Sequence, residues 1–445
     1  PIHIAHLRGA VYGDVFANIL KANGYKVIRE YYVNDSGSQI AILGKSLYKR
    51  YKQLRGKKIE LLEDEYPGEY LISLAESISS KDKDKWLSVE KDKRNKYFKD
   101  YAIKEILNSI KYDLEKIDIY FDKFSFETEV VKQNKISKVL KILKHRNLLY
   151  EGTLEKPKGE DLKDWEPRKQ LLFKSTQFDD DIDRPLQKAN GEWTYFANDL
   201  AYHYDKIERN FNKLINIWGA DHIGYIKRMK SIIDVLSNKK NYLDIIICQI
   251  IRLIKNGRIL KMSKREGHFV TLRDIFNQVG KDPLRYYMIS TKNETPIDFD
   301  INKVIEKNKD NPVFYCQYAY ARASSVINKA MNINEFNEFK KQIYNFDINS
   351  ITKYEREIVL KIISWPHVLN QSAILKQPHK IINFIEDLSV HFHSFWNKGK
   401  DELSLRLIDI SNPKKTITKL LWVESMRIVF KNAFKIIGIK APEKM

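Results

Sequence analysis

Residues 1–33 read PIHIAHLRGAVYGDVFANILKANGYKVIREYYV, and this stretch decides the fold class. Leu7, Val11, Val15 and Ile19 recur at every fourth position, the period of one buried helix face. The spacing predicts a short entry loop and a helix closed by Gly24, since glycine accepts the left-handed turn that ends a helix. Lys26 to Val33 then reads as a strand, because Val27, Ile28, Tyr31, Tyr32 and Val33 are β-branched or aromatic, with turn chemistry behind them in Asn34-Asp35-Ser36-Gly37. Helix followed by strand points to an α/β layer. Asn212 to Ile217 is a second apolar stretch, running into Trp218-Gly219-Ala220-Asp221-His222. It reads as a buried strand that delivers polar groups at its carboxyl end, where open α/β sheets hold ligands.

Beyond the α/β part the character changes to helices. Asn311 is a suitable cap, Pro312 suits a first helical position, and the helix is expected to reach Met331. Ile381, Ile385, Leu388, Phe392 and Phe395 form one apolar stripe; Trp422, Met426, Val429, Ala433 and Ile436 form another, closed by Gly438. A helical bundle over 306–445 follows. Lys81 to Lys99 mixes Lys and Asp with little apolar periodicity and is expected to be a solvated excursion.

At 445 residues the chain holds several domains, and with 43% hydrophobic residues it can bury a sizeable core. No apolar run is long enough to span a membrane, and no membrane role is expected. Two cysteines, Cys248 and Cys316, supply neither a disulfide framework nor a Cys-type zinc site, which suggests a reducing cytoplasmic setting. The formal charge of +20 favours a polyanion such as nucleic acid, although a general Lys and Asn bias gives the same count. The sequence starts at Pro1 without an initiator Met or signal-peptide pattern, so a fragment is expected.

Two segments carry phosphate chemistry. His3-Ile4-Ala5-His6 places two imidazoles at a helix start, where unpaired N–H groups and the macrodipole attract anions. Alone the pair reads equally as surface histidines or metal ligands. Lys261-Met262-Ser263-Lys264-Arg265 packs three cations and a hydroxyl into five residues, suited to a triphosphate whose charge grows as pyrophosphate leaves. In a Lys-rich chain such a run is more often a solvated turn; its pairing with the histidines is what makes it specific.

His3 to His6 matches the HIGH motif and Lys261 to Arg265 the KMSKR motif, so the chain resembles the class I aminoacyl-tRNA synthetases, and among them the arginyl-tRNA synthetases. The likeness extends through Leu7 to Val11, Glu30 to Asp35, Tyr66 to Tyr70, Tyr195 to Asp199, Trp218 to His222, Asn311 to Tyr315 and Ala441 to Met445, which is essentially the whole chain. Asp282-Pro283-Leu284-Arg285 resembles the DALR motif with Pro for Ala, and Ala5 stands where HIGH has Gly. The resemblance implies an α/β fold: a Rossmann-like class I synthetase catalytic domain over 1–305 and an all-α anticodon-binding bundle over 306–445. It further implies an insertion at about 45–150 and a KMSKR loop with connecting segment at about 255–305. The family's N-terminal domain and first catalytic strand are not in the sequence.

The same resemblance implies a ligase that activates L-arginine with ATP and esterifies the terminal adenosine of tRNA(Arg), with tRNA needed even for activation. Its implied catalytic residues are His3, His6, Lys261 and Lys264, and its ATP contacts Gly219, Asp221, His222, Met262 and Ser263. Arginine contacts fall on Glu127, Tyr195, Asp199, Asp35 and Gln39, in keeping with the preference of a planar five-donor cation for carboxylates. Tyr315, Gln317, Tyr318 and Arg322 are expected tRNA contacts, although the tyrosines suit packing equally. Magnesium is expected with ATP, and no tightly bound cofactor or zinc. The protein is expected to be a cytoplasmic monomer. The rival reading is a non-catalytic tRNA-binding paralogue or an inactive fragment.

Overall fold

The computed structural model describes residues 2–154, 168–178, 180–188, 190–260 and 270–445. Helix α1, Ile4–Ala22, runs through its centre. The predicted stripe of Leu7, Val11, Val15 and Ile19 is fully buried, and so are Arg8 and Tyr12, because α1 is covered on more than one face. Asn23 is the C-cap and Gly24, at φ +87°, lies one residue beyond it. Gly24 N–H donates to Lys21 C=O at 3.0 Å and Tyr25 N–H to Leu20 C=O at 3.1 Å, the paired bonds of a Schellman closure.

Strand β1 is Glu30–Val33, shorter than the Lys26–Val33 stretch expected. It pairs in parallel with β2, Lys123–Phe126, over those four positions, and Ile28 before it is exposed. Residues suited to a strand become one only where a neighbour supplies the ladder. Between these strands lie α2, Ser38–Leu54, α3, Tyr70–Asp82, α4, Lys85–Ser88, and α5, Lys91–Glu115. They share a core of Leu47, Tyr51, Leu71, Trp86 and Phe98. The solvated excursion expected over Lys81–Lys99 is therefore corrected: Trp86 stacks on Tyr97 with ring centres 3.8 Å apart, and Phe98 is fully buried. Most of the Lys and Asp residues face solvent, while three aromatics anchor the segment and Asp82 accepts from Trp86 Nε1 at 2.7 Å and from the Tyr97 hydroxyl at 2.9 Å.

Helices α6, Glu127–Lys132, and α7, Lys135–His145, lead to an antiparallel sheet of β3, Leu149–Thr153, β4, Lys169–Phe173, and β5, Arg184–Gln187. Helix α8, Tyr195–Glu208, precedes β6, Leu214–Gly219, which pairs in parallel with β7, Leu243–Cys248, across α9, Ile226–Ser237. The strand expected over Asn212–Ile217 is thus displaced two residues and includes Trp218 and Gly219. Strand β8, Ile251–Lys255, pairs with the short β9, Arg258–Ile259, and in parallel with β10, Ile297–Asp300. Helices α10, Leu272–Val279, and α11, Lys281–Met288, lie between them in the chain.

The bundle comprises α12, Pro312–Met331, α13, Lys353–Ile374, α14, His379–Asp401, and α15, Pro413–Ile437. Asn311 caps α12 as expected, its side chain accepting from Val313 N–H. Both apolar stripes are buried. One hydrophobic core runs from Ile4 and Leu7 through Leu284 and Tyr286 into Phe392 and Phe430, so the bundle is packed onto α1 rather than appended to it. At that joint Arg285 is fully buried and pairs with Asp14 of α1. Its Nε donates to Ile437 C=O at 2.7 Å and its Nη1 to Ile117 C=O at 2.8 Å. Gly438, at φ +74°, has room for nothing more: a Cβ there would stand 2.2 Å from Arg285 Nε. Among the described residues no helix is long and apolar enough to cross a membrane.

Candidate active site

Two groups of residues adjoin at the amino end of α1, and a third, acidic, group feels the charge of His222 in the second. His3 is its N-cap, with extended backbone, and His6 lies in the first turn; their rings are 3.8 Å apart, centre to centre. No acidic residue occupies that turn, so the helix end keeps its positive partial charge. Lys261, Met262, Ser263, Lys264 and Arg265 lie outside the described residues. The chain that follows them is described, and it returns to the histidines: His3 bridges Thr271, and Leu272 N–H donates to Ile2 C=O at 2.9 Å. Segments about 270 positions apart are thus stitched together at one helix end.

The second group is the carboxyl end of β6. Gly9 and Gly13 of α1 lie over Ile217, where added Cβ atoms would make contacts of 3.7 and 3.5 Å. That contact is three residues from His6 and two from Gly219, so the strand's carboxyl end and the helix's amino end adjoin. A Cβ on Gly219 would stand 2.5 Å from Asp221 Oδ1. Asp221 and His222 are exposed and 3.4 Å apart. Trp218 packs against His222 and Tyr225, with ring centres 5.9 and 6.0 Å away.

The third group is acidic. Glu127, 4% exposed, opens α6. Its Oε1 accepts from Asn198 Nδ2 at 2.7 Å. The Asn34 amide, oriented so that its nitrogen donates, meets Oε2 at 3.1 Å. The Tyr32 hydroxyl also bonds Glu127; burial and the charges of Glu127 and Asp199 hold that phenol well above the usual tyrosine range. Asp199, half-buried on α8, is pushed up to about 6, first by desolvation and then by Glu127, against the opposing hydrogen bond from Tyr225. The basic groups whose charges reach Asp199 are His222 and Lys206, and Lys206 Nζ donates to Asn216 Oδ1 at 3.3 Å. Among the described residues no ion pair reaches Glu127 or Asp199. Two neighbouring carboxylates without an ion-pair partner among the described residues have the chemistry to attract an external cation.

Tyr195 stands at the start of α8, 60% exposed, with its hydroxyl beside Gly37. Asp35 and Gln39 are arranged differently from the other three expected arginine contacts. Both oxygens of Asp35 are taken by Thr128, one from the backbone N–H at 2.9 Å and one from the hydroxyl, so Asp35 fixes the start of α6. Gln39 is exposed and accepts from the Tyr66 hydroxyl at 2.7 Å.

Residues 1–309 match the family model for the catalytic domain of class I tRNA synthetases of the arginine type, and residues 316–445 match the DALR anticodon binding domain. An arginine–tRNA ligase of Orientia tsutsugamushi is 44% identical over 449 residues, covering 100% of this chain and 76% of the relative. That of Ruegeria pomeroyi is 40% identical, covering 100% and 77%. The chain belongs to the arginyl-tRNA synthetases. A Campylobacter jejuni crystal structure bearing the arginyl-tRNA synthetase name superposes with a TM-score of 0.83 at 30% identity, covering 100% of this chain and 91% of that one. The Thermus thermophilus enzyme, at 17% identity, shares the fold with a TM-score of 0.70.

In this synthetase the Asp282 to Arg285 motif lies in α11, within the stretch matched to the catalytic domain and ahead of the stretch matched to the anticodon domain. The motif joins the two. Asp282 Oδ2 accepts from Gln317 Nε2 at 2.8 Å and from Lys440 N–H at 3.2 Å. Gln317 also donates to Lys440 C=O at 3.0 Å, so both its amide hydrogens are engaged within the chain. Tyr315, Tyr318 and Arg322 gather around His393. Arg322 donates to His393 Nδ1 at 2.8 Å and lies over the Tyr318 ring at 4.2 Å, while His393 Nε2–H donates to Tyr315 C=O at 3.1 Å. Burial lowers the His393 pKa to about 4, consistent with a neutral ring that accepts on one side and donates on the other.

Sequence reasoning missed Asn198, Tyr32 and Asn34, which bond Glu127, and Thr128, which occupies Asp35. Asn198 stood between two residues already singled out, Tyr195 and Asp199, and its spacing on α8 was the available signal.

Proposed function

We infer that the chain is an arginine–tRNA ligase that consumes ATP, arginine and tRNA(Arg) and releases AMP and pyrophosphate. An arginine carboxylate oxygen attacks the α-phosphorus of ATP, the bond to the β-phosphate oxygen breaks, and pyrophosphate departs with its magnesium. A hydroxyl of the terminal tRNA adenosine then attacks the arginyl carbonyl and AMP leaves. No protein nucleophile is required, since positioning and charge stabilisation carry phosphoryl chemistry.

The roles are assigned from side-chain chemistry and from the resemblance to the family. His3 and His6, with Lys261 and Lys264, stabilise the charge that builds on the phosphates. Gly219, Asp221, His222, Met262 and Ser263 hold the adenosine. Glu127 and Asp199 bind the guanidinium and Tyr195 covers it; Asp35 acts through Thr128, and Gln39 lies at the margin. Tyr315, Tyr318 and Arg322 offer ring and guanidinium faces to anticodon bases, while Gln317 keeps α12 docked on Asp282. We divide the chain at 305/306 and expect a cytoplasmic monomer without a resident cofactor.

The observation that carries this reading is the acidic pair, Glu127 and Asp199, which makes no ion pair among the described residues of a chain of net charge +20. ATP–pyrophosphate exchange with each amino acid, with and without total tRNA, tests it. Exchange with arginine alone is expected; exchange with another amino acid, or tRNA binding without any exchange, overturns it.

A further inference from the structure

Asn198 lies on the inner turn of α8, one residue before Asp199 and three after Tyr195. Its two polar atoms have opposite situations. Nδ2 donates to Glu127 Oε1 at 2.7 Å, whereas Oδ1 is buried and has no hydrogen-bond partner among the described residues. The orientation of this amide is set by its neighbour, because exchanging oxygen and nitrogen would bring Oδ1 against a carboxylate oxygen. A buried acceptor without a donor costs free energy, and a ligand N–H at that position would recover it. Here it sits on a side chain already bonded to Glu127.

We propose that Asn198 is a specificity-determining residue for arginine, its Oδ1 accepting an N–H of the guanidinium while its Nδ2 holds Glu127 in place. The proposal rests on Glu127 being a guanidinium ligand. A guanidinium presents five N–H donors in one plane. Carboxylates recognise its charge, and a neutral acceptor fixed beside them recognises a further N–H direction. A ligand with a carbonyl or methyl at that position leaves Oδ1 unbonded or repelled, so the site rejects it.

The test is the kinetics of tRNA-dependent exchange for wild type, Asn198→Ala and Glu127→Gln, with arginine and with Nω-methylarginine as substrates. Asn198→Ala is expected to raise the arginine KM by at least tenfold, to leave the ATP KM within about threefold, and to shrink the preference for arginine over its methylated analogue. The proposal is overturned if the arginine KM stays within twofold, or if both substrates lose equally, which marks Asn198 as a support for Glu127 only. Glu127→Gln separates the two readings. If it leaves the arginine KM unchanged, the assignment of Glu127 fails; if it raises that KM while Asn198→Ala does not, only the role of Asn198 fails.

Discussion

Two carboxylates in this molecule occupy opposite electrostatic settings. Asp14, 3% exposed in α1, is shared by Arg29 at 2.5 Å and by Arg285, so its charge is matched within the chain. Glu127 is equally inaccessible at 4%, but among the described residues its donors are amides and a phenol, and its partner carboxylate Asp199 is pushed up to about 6. The first arrangement welds α1, α11 and α15 together. The second makes no ion pair among the described residues, and that contrast with a joint made of the same residue types is the basis of the proposed binding role.

The largest effect expected from disturbing this comparison is at the joint. Arg285→Met leaves Asp14 with Arg29 alone and strips donors from two buried carbonyls, so a loss of about 3–5 kcal/mol in stability is expected from denaturant unfolding. Glu127→Gln comes next: it removes the charge but keeps the shape, and the arginine KM should rise about 100-fold, corresponding to ~2.7 kcal/mol, with the thermal midpoint unchanged or raised. Gly438→Ala places a methyl against Arg285 in a left-handed conformation, and about 2 kcal/mol of stability should be lost. A smaller effect is expected at Asp199. Its folded pKa of about 6 lies above the ordinary carboxylate value, so between those values the folded state holds more protons than the unfolded one and stability falls as pH rises. Asp199→Asn should therefore stabilise the protein at pH 7 to 8 by about 1 kcal/mol and lose that advantage below pH 4, seen as converging melting curves. In wild type, kcat/KM for arginine should fall as pH drops through 6, because a protonated Asp199 no longer attracts the guanidinium. Gln39→Ala marks the low end, with less than about 0.5 kcal/mol of stability and no change in arginine KM expected.

Periodic features were legible in the sequence. The stripes of α1, α14 and α15 and the caps at Asn311 and Gly438 depend on neighbours within a few residues, and they are found where spacing put them. Strand ends were less legible, since Glu30–Val33 is a strand only because Lys123–Phe126 lies beside it. The buried Trp86 and Phe98 were hidden by the Lys and Asp around them, as a helix that docks through a few aromatics leaves its charged residues in solvent. The joint was hidden altogether: Asp14 and Arg285 are 271 positions apart, and no local pattern shows which arginine will be buried. The site falls between these cases. Glu127, Tyr195 and Asp199 were visible through resemblance, whereas the Thr128 clamp that occupies Asp35 and the Asn198 amide that holds Glu127 exist only in three dimensions.

Binding of a guanidinium cation by Glu127 and Asp199 is the central expectation for this molecule. Competition by citrulline, a neutral analogue of arginine with nearly the same shape, tests this directly in tRNA-supplemented exchange. We expect citrulline to bind at least about 1000-fold more weakly than arginine, because it brings no charge and replaces an N–H donor by an acceptor. Inhibition by citrulline at concentrations near the arginine KM would contradict that expectation.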